Sequence, residues 1–218
     1  MAKKKSITSE KLISMYMEYA LEHNNHPESI YKFAKLNNFE EAAFYGYFAN
    51  FDELEKTIFK VFFHKTLELL EQNKDYSNFD SRNKLLSFHF TFFELLTANR
   101  SYVIYALNKN LSPLKSLQTL SMLKKVYTDY VDKLNFNLPE IKQERLSKVQ
   151  SKSLKESAWI QLLLTMKFWM DDSSPNFEKT DIFIEKSINA SLDLIDIRPL
   201  SSIIDFGKFL FKEKVQMN

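Results

Sequence analysis

The sequence contains few residues whose type and spacing could support catalysis. Its four histidines are His23, His26, His64 and His89, and their spacing matches no metal-binding motif. Acidic residues and serines adjoin in the segment Asp171-Asp172-Ser173-Ser174-Pro175, but before a proline this combination is typical of a helix cap rather than of a catalytic triad. Cysteine is absent, which excludes thiolate zinc sites and cysteine nucleophiles. We therefore predict that the protein is not an enzyme and that it has no catalytic residue, metal site or cofactor.

The scarcity of glycine indicates the class of fold that must position the remaining functional residues. Only 2 of the 218 residues are glycine, which is too few for the positive-φ turns of a multi-stranded antiparallel protein. Glycine-rich phosphate-binding loops and the glycine-flanked serine of hydrolases are excluded for the same reason. The hydrophobic fraction of 44% and the 20 phenylalanines also exclude a disordered chain. The composition predicts an all-α globular protein.

Charge and hydropathy predict a soluble cytoplasmic protein without membrane insertion. The 30 basic and 28 acidic residues give a net charge of +2, which does not by itself indicate a polyanionic partner. The basic start Met1-Ala2-Lys3-Lys4-Lys5 is followed by polar residues, whereas a signal peptide would continue with an apolar run. The most apolar later stretch, residues 159–170, is too short to span a bilayer.

The first fifty residues predict three short helices. Ser9 begins an amphipathic helix in which apolar residues recur about every 3.6 positions, and the turn-forming residues 24–27 end it. Ser29 is a favourable N-cap for a second helix, and Asn38 can end that helix without glycine because asparagine tolerates the left-handed conformation. A third short helix is predicted over residues 40–48.

A long helix and a larger helical region follow. Asn50 is a favourable N-cap for a helix over residues 51–71, and a polar break at residues 73–78 comes next. Apolar periodicity and prolines near helix starts then predict further helices. They cover residues 80–98, 102–110, 113–134, 139–170, 176–197 and 200–215. We expect an N-terminal head over residues 1–50, a connecting helix over residues 51–73, and a ligand-binding and dimerisation domain over residues 74–218.

Residues 29–48 read SIYKFAKLNNFEEAAFYGYF, and this stretch resembles the helix-turn-helix of the TetR/AcrR repressors. Ala34, the block Phe44-Tyr45-x-Tyr47-Phe48 and the capped helix after Asn50 carry the resemblance. Residues 174–187 are similar to the C-terminal domains of TetR-like proteins from the Bacteroidetes. The resemblance implies a three-helix DNA-binding head on a larger helical body. Because Phe44 and Phe48 are four positions apart, both should lie in the core of the head, against Ile30 and Ala34.

The recognition helix departs from the family pattern. Members usually begin it with Ser or Thr, a small or basic residue, glycine and threonine, but here the residues are Glu40, Glu41, Ala42 and Ala43. A lysine that usually contacts phosphate early in the fourth helix is replaced by Phe51. From Ser29 to Glu55 two lysines oppose five acids, so this surface is predicted to carry −3. Acidic groups oppose binding to phosphates, although a glutamate can read the amino group of cytosine.

The DNA-binding residues that the resemblance implies are the recognition-helix residues 40–43, two tyrosines and the basic N-terminus. The hydroxyls of Tyr45 and Tyr47 would contact phosphates, or alternatively the two rings pack at the rim of the head. Lys3, Lys4 and Lys5 could enter a minor groove, as basic arms do, or form a solvated tip. The recognition-helix candidates are Glu40, Glu41, Ala42 and Ala43.

The helical body carries the candidates for ligand binding and dimerisation. The resemblance implies a cavity for a small hydrophobic ligand, lined by aromatic and methionine side chains. The residues assigned to it are Phe88, Phe92, Met122, Tyr127, Trp159, Leu163, Met166 and Trp169. The helix predicted over residues 176–197 has two apolar faces, one of which should contact a second subunit if it is not buried within one chain. The residues assigned to this homodimer interface are Ile184, Ile188, Leu192 and Ile195.

Two hypotheses for the function follow. The first is a TetR-like one-component transcriptional regulator, a homodimer in which a small hydrophobic ligand and operator DNA weaken each other's binding. The second is a lipid- or isoprenoid-binding accessory protein that keeps the TetR fold but has lost DNA binding. Glu40, Glu41 and Phe51 favour the second hypothesis, whereas the aromatic block and the basic N-terminus favour the first.

Overall fold

The computed structural model describes residues 7–109, 113–136 and 144–196, and it shows helices, turns and no strand in these ranges. The all-α fold class is therefore confirmed. The helices are α1 (Ser9–His23), α2 (Ile30–Leu36), α3 (Glu41–Tyr45), α4 (Phe51–Glu71), α5 (Ser81–Ala98), α6 (Arg100–Asn108), α7 (Pro113–Thr119), α8 (Ser121–Lys133), α9 (Glu144–Asp171) and α10 (Glu178–Asp196). Short 3₁₀ turns occupy Tyr76–Asn78 and Pro175–Phe177. None of the described helices combines the length and the apolar character needed to span a bilayer.

The chain divides into two compact units. The first unit comprises the residues up to Lys74 together with Thr91–Tyr127, and the second comprises Asp75–Phe90 together with the residues from Thr128 onwards. α5 and α8 therefore contribute residues to both units. The expected functional division into residues 1–50, 51–73 and 74–218 stays a prediction, because packing alone defines the compact units.

Side-chain caps determine where the N-terminal helices begin. The Thr8 hydroxyl accepts a hydrogen bond from the Lys11 N–H at the start of α1, and the Ser29 hydroxyl accepts one from the Lys32 N–H at the start of α2. The Asn50 side chain accepts from the Glu53 N–H at 2.9 Å, which fixes the first turn of α4. These bonds satisfy backbone donors that an isolated helix leaves without partners. The predicted caps at Ser29 and Asn50 are confirmed, as is a helix over residues 51–71.

Asparagines in the left-handed conformation end or connect helices where other proteins often use glycine. Asn24, at the end of α1, has a φ of 48°, and Asn38, in the turn after α2, has a φ of 55°. Asn135 and Asn176 also have positive φ. Asparagine adopts this region more readily than other side-chain-bearing residues, so the chain can form tight turns with almost no glycine. The prediction for Asn38 is confirmed.

The prediction of a single helix over residues 113–134 is wrong. α7 ends at Thr119 and α8 begins at Ser121, with a turn at Leu120 between them. The Leu120 N–H donates to the Leu117 carbonyl at 3.1 Å, and the Leu120 side chain is buried. No glycine or proline marks this break, so tertiary packing rather than local propensity accounts for it.

Other predicted boundaries also shift. The third helix ends at Tyr45 rather than at residue 48, and the sixth begins at Arg100 rather than at residue 102. Asp80 caps α5 through the Asn83 N–H at 2.7 Å, so α5 begins one residue later than predicted. The predicted start at residue 139, the predicted ends at residues 110 and 197, and the predicted helix over residues 200–215 lie outside the described residues.

The joint between α9 and α10 depends on one buried carboxylate. Asp172 Oδ1 accepts hydrogen bonds from the N–H and the hydroxyl of Ser174, and Oδ2 accepts from the N–H and the hydroxyl of Thr180, all at 2.7–2.9 Å. Asn176 and Phe177 both have a left-handed φ, which no α-helix accommodates, so α10 begins at Glu178 and not at residue 176 as predicted. The capping role predicted for this acidic and serine-rich segment is confirmed.

We expect Asp172→Ala to lower the free energy of unfolding by about 2 kcal/mol, because it removes an acceptor from four donors. Burial acts to raise the pKa of Asp172, but the hydrogen bonds from Ser174 and Thr180 outweigh it and lower the pKa to about 2. The difference between wild type and variant should therefore be complete above the ordinary carboxyl pKa and should decrease as the pH falls towards 2. Urea denaturation across this pH range measures it.

The matched control is Asp171→Ala, which removes the neighbouring exposed carboxylate and its ion pair with Lys167 at 2.7 Å. This change should alter the free energy of unfolding by less than about 0.5 kcal/mol, because exposed ion pairs contribute little. Equal effects of the two substitutions would contradict the role assigned to Asp172.

Candidate functional site

The core of the head is a cluster of aromatic rings around Phe33. The Phe33 ring meets those of Phe39, Phe44 and Phe51 edge to face, with centroid separations of 5.6, 6.4 and 5.7 Å. Tyr16 stacks on Phe51 at 5.4 Å. Because these residues come from α1, α2, α3 and the turn before α3 as well as α4, the cluster joins every helix of the head to the connecting helix.

Phe44 and Phe48 are buried, as predicted, and the Phe44 ring meets the rings of Phe33, Phe48 and Phe51, with the Tyr45 ring edge to face at 5.9 Å on its outer side. Ile30, which the sequence placed beside them, is only half-buried. Phe51 is half-buried and its ring packs against this same cluster, at the position where the resemblance implies a lysine.

The remaining recognition-helix residues face solvent to different degrees. Glu40 and Ala42 are exposed, whereas Glu41 and Ala43 are half-buried. Tyr45 is 53% exposed, and its hydroxyl donates to the Glu41 carboxylate at 3.3 Å. Tyr47 is 50% exposed, and its hydroxyl donates to the Ile7 carbonyl at 3.1 Å. The two tyrosines thus present their rings and hydroxyls at the surface beside the recognition helix.

The surface of the head is acidic. Over residues 7–50 the sequence has three lysines, no arginine and six glutamates, which gives a net charge of −3. One of the lysines, Lys32, forms an ion pair with Glu28. The three lysines of the basic N-terminus, Lys3, Lys4 and Lys5, lie outside the described residues. Within the described head, few cations are therefore placed to neutralise phosphates.

Sequence reasoning counted Glu55 among the surface acids, and this was wrong. The Glu55 side chain is buried, and its carboxylate accepts hydrogen bonds from the Tyr16 hydroxyl and from the Lys109 ammonium. Leu54, Ile58 and Phe59 are also buried, so Glu55 lies on the apolar face of α4. Its position three and four residues before Ile58 and Phe59 was a signal that could have revealed this.

The residues predicted to line a ligand pocket are mostly core residues. Phe88, Trp159, Met166 and Trp169 are buried in the second unit, where Leu163 is half-buried. In the first unit Phe92 and Tyr127 are buried, whereas Met122 is half-buried and its sulfur lies 3.7 Å from the Thr57 hydroxyl.

One cavity lies within the second unit among α5, α8, α9, α10 and the residue Phe136. It has a volume of about 40 Å³, enough for a water molecule but far less than a drug-sized ligand needs. None of the eight predicted pocket residues lines it. Its walls are Leu85, Val131, Phe136, Leu154, Ser157, Ala158, Gln161, Ile188, Ser191 and Leu192.

The buried His89 and the half-buried Gln161 are two polar groups at or near this cavity. The His89 Nδ1 lies 2.9 Å from the Leu85 carbonyl. Burial lowers the pKa of His89 to about 4 against the opposing effects of hydrogen bonds with Leu85 and Gln161, so the imidazole is neutral at pH 7. Gln161 also donates to the Thr165 and Ser187 hydroxyls. Among the described residues no cluster of three or more His, Cys, Asp or Glu side chains could hold a metal ion.

Three of the four residues predicted for the dimer interface are buried within their own chain. Ile184, Ile188 and Leu192 are at most 7% exposed. The side chain of Ile195 lies outside the described residues. A side chain that one chain already covers has almost no apolar area left for a partner.

A different apolar face of the second unit is exposed. Ile160, Leu164 and Phe168 follow one another at intervals of four on α9 and are 54%, 57% and 36% exposed. Ile182 on α10 is 49% exposed. We call these four residues the α9–α10 stripe. Beside it the Phe168 ring stacks on Phe183 at 4.6 Å.

A shallow trough of about 450 Å³ adjoins this stripe. It is lined by Phe168, Lys179, Ile182, Phe183, Lys186 and Ser187. The trough is wide open to solvent, unlike an enclosed ligand pocket, so it is better suited to contact with another surface.

Two substitutions test which aromatic side chains of the head are packed in its core and which lie only at its surface. We expect Phe44→Ala to lower the free energy of unfolding by about 3–5 kcal/mol, because it removes the ring that contacts Phe33 and Phe51. Tyr45→Ala should lower it by less than about 0.5 kcal/mol, because that ring is half-exposed at the surface. Thermal or urea denaturation measures both, and a large loss for Tyr45→Ala would mean that the ring belongs to the core.

Comparison with known proteins identifies the family. A sequence model of the tetracyclin repressor-like C-terminal domain matches residues 84–210, which is more than half of the chain. A search of curated proteins finds no match. The match covers most of α5 and the helices after it, and the helical head with its aromatic block precedes it. The chain belongs to the TetR family of regulators.

Proposed function

We propose that the protein is a dimeric one-component transcriptional regulator whose binding to operator DNA is modulated by a small hydrophobic ligand. The observation that carries the proposal is the capped α2–turn–α3 unit, which a family with DNA-binding members uses for recognition. Its outer face presents Tyr45 and Tyr47 to solvent, with Glu40, Ala42 and the half-buried Glu41 and Ala43 beside them. These are the residues that we assign to DNA contact.

The charge of the head suggests how this contact would differ from that of a typical member. Carboxylates at the start of the recognition helix can accept hydrogen bonds from exocyclic amino groups of bases, especially cytosine N4, but they repel phosphates. Attraction to the backbone would then depend on Lys3, Lys4 and Lys5 and on Lys35 in the last turn of α2. We expect DNA binding that depends on these few cations.

We expect the purified dimer to bind the DNA upstream of its own gene, with an affinity that decreases as salt increases. Replacing Lys3, Lys4 and Lys5 by alanine should reduce the slope of log affinity against log salt by about 0.9 for each phosphate that these lysines neutralise in the wild type. Fluorescence anisotropy with labelled duplexes measures both quantities. The matched control replaces three exposed lysines outside the head, Lys65, Lys115 and Lys133, and should leave the slope unchanged.

An acidic head is the observation that favours a second candidate, a lipid- or isoprenoid-binding accessory protein. If micromolar dimer shows no binding to the upstream DNA at low salt, the regulator proposal is wrong. A lipid found by mass spectrometry in the purified protein would then support the second candidate.

The α9–α10 stripe is the surface that we propose for homodimerisation. Large apolar side chains in a contiguous exposed patch are typical of protein interfaces, and two subunits related by a two-fold axis would cover each other's patch. The buried residues first assigned to the interface, Ile184, Ile188 and Leu192, would instead support this face from within.

We expect Leu164→Glu to yield a folded monomer, because it places a charge at the centre of the exposed stripe. Ile188→Glu should instead abolish cooperative unfolding, since it places the same charge among fully buried side chains. Light scattering gives the mass, and circular dichroism on heating reports folding. A dimeric Leu164→Glu variant would exclude the stripe as the interface, and a folded monomeric Ile188→Glu variant would restore the residues assigned first.

A ligand site in the second unit would require side chains to move. The cavity of about 40 Å³ has mostly apolar walls, and Gln161 supplies a polar group among them. The cavity could enlarge only if neighbouring core residues shifted. Of the eight residues assigned to the pocket, Phe88, Trp159, Leu163, Met166 and Trp169 belong to this unit. We propose that a hydrophobic ligand displaces part of this core.

A further inference from the structure

A hydrogen bond across 40 positions of sequence fixes the point from which the basic segment Lys3-Lys4-Lys5 extends. The hydroxyl of Tyr47, two residues after α3, donates to the carbonyl of Ile7 at 3.1 Å. Ile7 itself is half-buried. Because the preceding residues are joined to Ile7 through the backbone, the basic segment begins a few residues from the recognition helix.

The surface next to this point combines carboxylates with aromatic rings. We call Glu40, Glu41, Tyr45 and Tyr47 the recognition face. Glu40 is exposed, Glu41 is half-buried, and about half of each tyrosine side chain is exposed. The Tyr45 hydroxyl donates to the Glu41 carboxylate at 3.3 Å, so that carboxylate lies beside an aromatic side chain. Carboxylates and aromatic rings both attract ammonium groups.

The basic segment is long enough to cover this face. Lys5 is two residues before Ile7 and Lys3 is four residues before it. Extended backbone spans up to about 3.6 Å per residue, which places the two lysines within about 7 and 14 Å of Ile7. The five residues of α3 rise by only about 7.5 Å. The segment can therefore extend along the whole of α3.

The charges of the segment and of the head are equal and opposite. Residues 1–6 contain three lysines and no acid, whereas residues 7–50 carry a net charge of −3. Within the head Lys32 forms an ion pair with Glu28, which engages one of its three lysines. The basic segment thus supplies the positive charge that would neutralise the head.

We propose that Lys3-Lys4-Lys5 docks on the recognition face of its own head when no DNA is bound, with lysine ammonium groups against Glu40 and Glu41. The bond between Tyr47 and Ile7 anchors the segment at one end of the face. The segment is then an autoinhibitory contact, because it covers the side chains that we assign to DNA.

The tether accounts for a contact that would be weak between separate molecules. An exposed ion pair contributes little by itself, since water and salt screen it. A short flexible connection gives the lysines an effective concentration in the millimolar range at the face, so even weak pairs are substantially populated. Such a contact is also easily displaced by a partner that offers stronger interactions.

The biological consequence rests on the proposed function. At a binding site on DNA, amino groups of cytosine can take the place of the lysine ammonium groups at the glutamates. The three lysines are then released to neighbouring phosphates. Recognition of bases by Glu40 and Glu41 and attraction to the backbone by the basic segment would therefore be coupled.

The absence of cysteine from the sequence allows docking to be measured with spin labels. One label is attached at Ala2→Cys and the other at His23→Cys, an exposed position about 21 Å along α1 from Ser9. Double electron–electron resonance on labelled protein diluted with unlabelled protein gives the distance distribution within one chain. A docked segment gives a narrow distribution and a released segment a broad one. Circular dichroism confirms that each variant is folded.

We expect the double substitution Glu40→Gln and Glu41→Gln to broaden the distribution roughly twofold or more, because it removes the charges but keeps the shape of both side chains. Sodium chloride at about 1 M should broaden the wild-type distribution in the same way, since screening is then effective beyond about 3 Å. The matched control is Glu18→Gln with Glu22→Gln, which removes two exposed charges from the second half of α1. It should leave the width unchanged.

A reversal of charge gives a second, independent test. Replacing Lys3, Lys4 and Lys5 by glutamate should broaden the distribution, and adding Glu40→Lys with Glu41→Lys should make it narrow again, because the attraction is restored with opposite signs.

The proposal is overturned by a wild-type distribution that is already broad at low salt. Equal widths in the Glu40→Gln, Glu41→Gln variant and its control would also overturn it. So would a narrow distance that is found only between chains, in labelled protein that has not been diluted. None of these measurements requires DNA. Failure of the wild type to bind the upstream duplex would therefore contradict the proposed function and leave docking of the segment as measured.

Discussion

The burial of Phe33 among four other rings is the constraint on which the head depends. Tyr16, Phe39, Phe44 and Phe51 surround it, so the helices of the head cannot turn about their axes without separating aromatic surfaces. This packing decides which residues of α3 and the following turn face solvent. Phe44 and Phe48 point inwards, and Tyr45 and Tyr47 are consequently left at the surface.

The same constraint explains one departure from the family pattern. At the position where family members usually have a phosphate-contacting lysine, Phe51 packs on Phe33, Phe44 and Tyr16. The half-buried Phe51 ring thus joins the aromatic cluster at a position where the resemblance implies a lysine. Under the proposed function, a phenylalanine at this position adds aromatic contacts within the head and supplies no cation to attract phosphates.

Sequence patterns predicted the parts of the fold that depend on local chemistry. The bounds of α4 follow from the Asn50 cap and the polar residues after Glu71, and the end of α2 follows from the tolerance of Asn38 for positive φ. The break at Leu120 has no such local signal, because it results from the burial of that side chain. Local chemistry therefore predicts helix ends well only where a cap or a turn residue is present.

The candidate site was harder to predict, because periodicity shows that a helix face is apolar but not what covers it. α10 has two apolar faces in the sequence, and only the structure distinguishes the buried Ile188 from the exposed Ile182. Glu55 was misassigned for a related reason, since a carboxylate on an apolar face is recognisable only once Tyr16 and Lys109 are seen to contact it. Both errors concern contacts between residues that are distant in sequence.

The asparagine turns have a consequence for how stability responds to temperature. The described glycine, Gly46, has a negative φ, so the positive-φ positions are occupied by side-chain-bearing residues, among them Asn24, Asn38, Asn135 and Asn176. Asparagine in this region carries some steric strain, whereas glycine would carry a larger loss of chain entropy on folding. The entropic cost grows in proportion to the absolute temperature and the strain does not. The stability that asparagine gives these turns, relative to glycine, therefore increases with temperature.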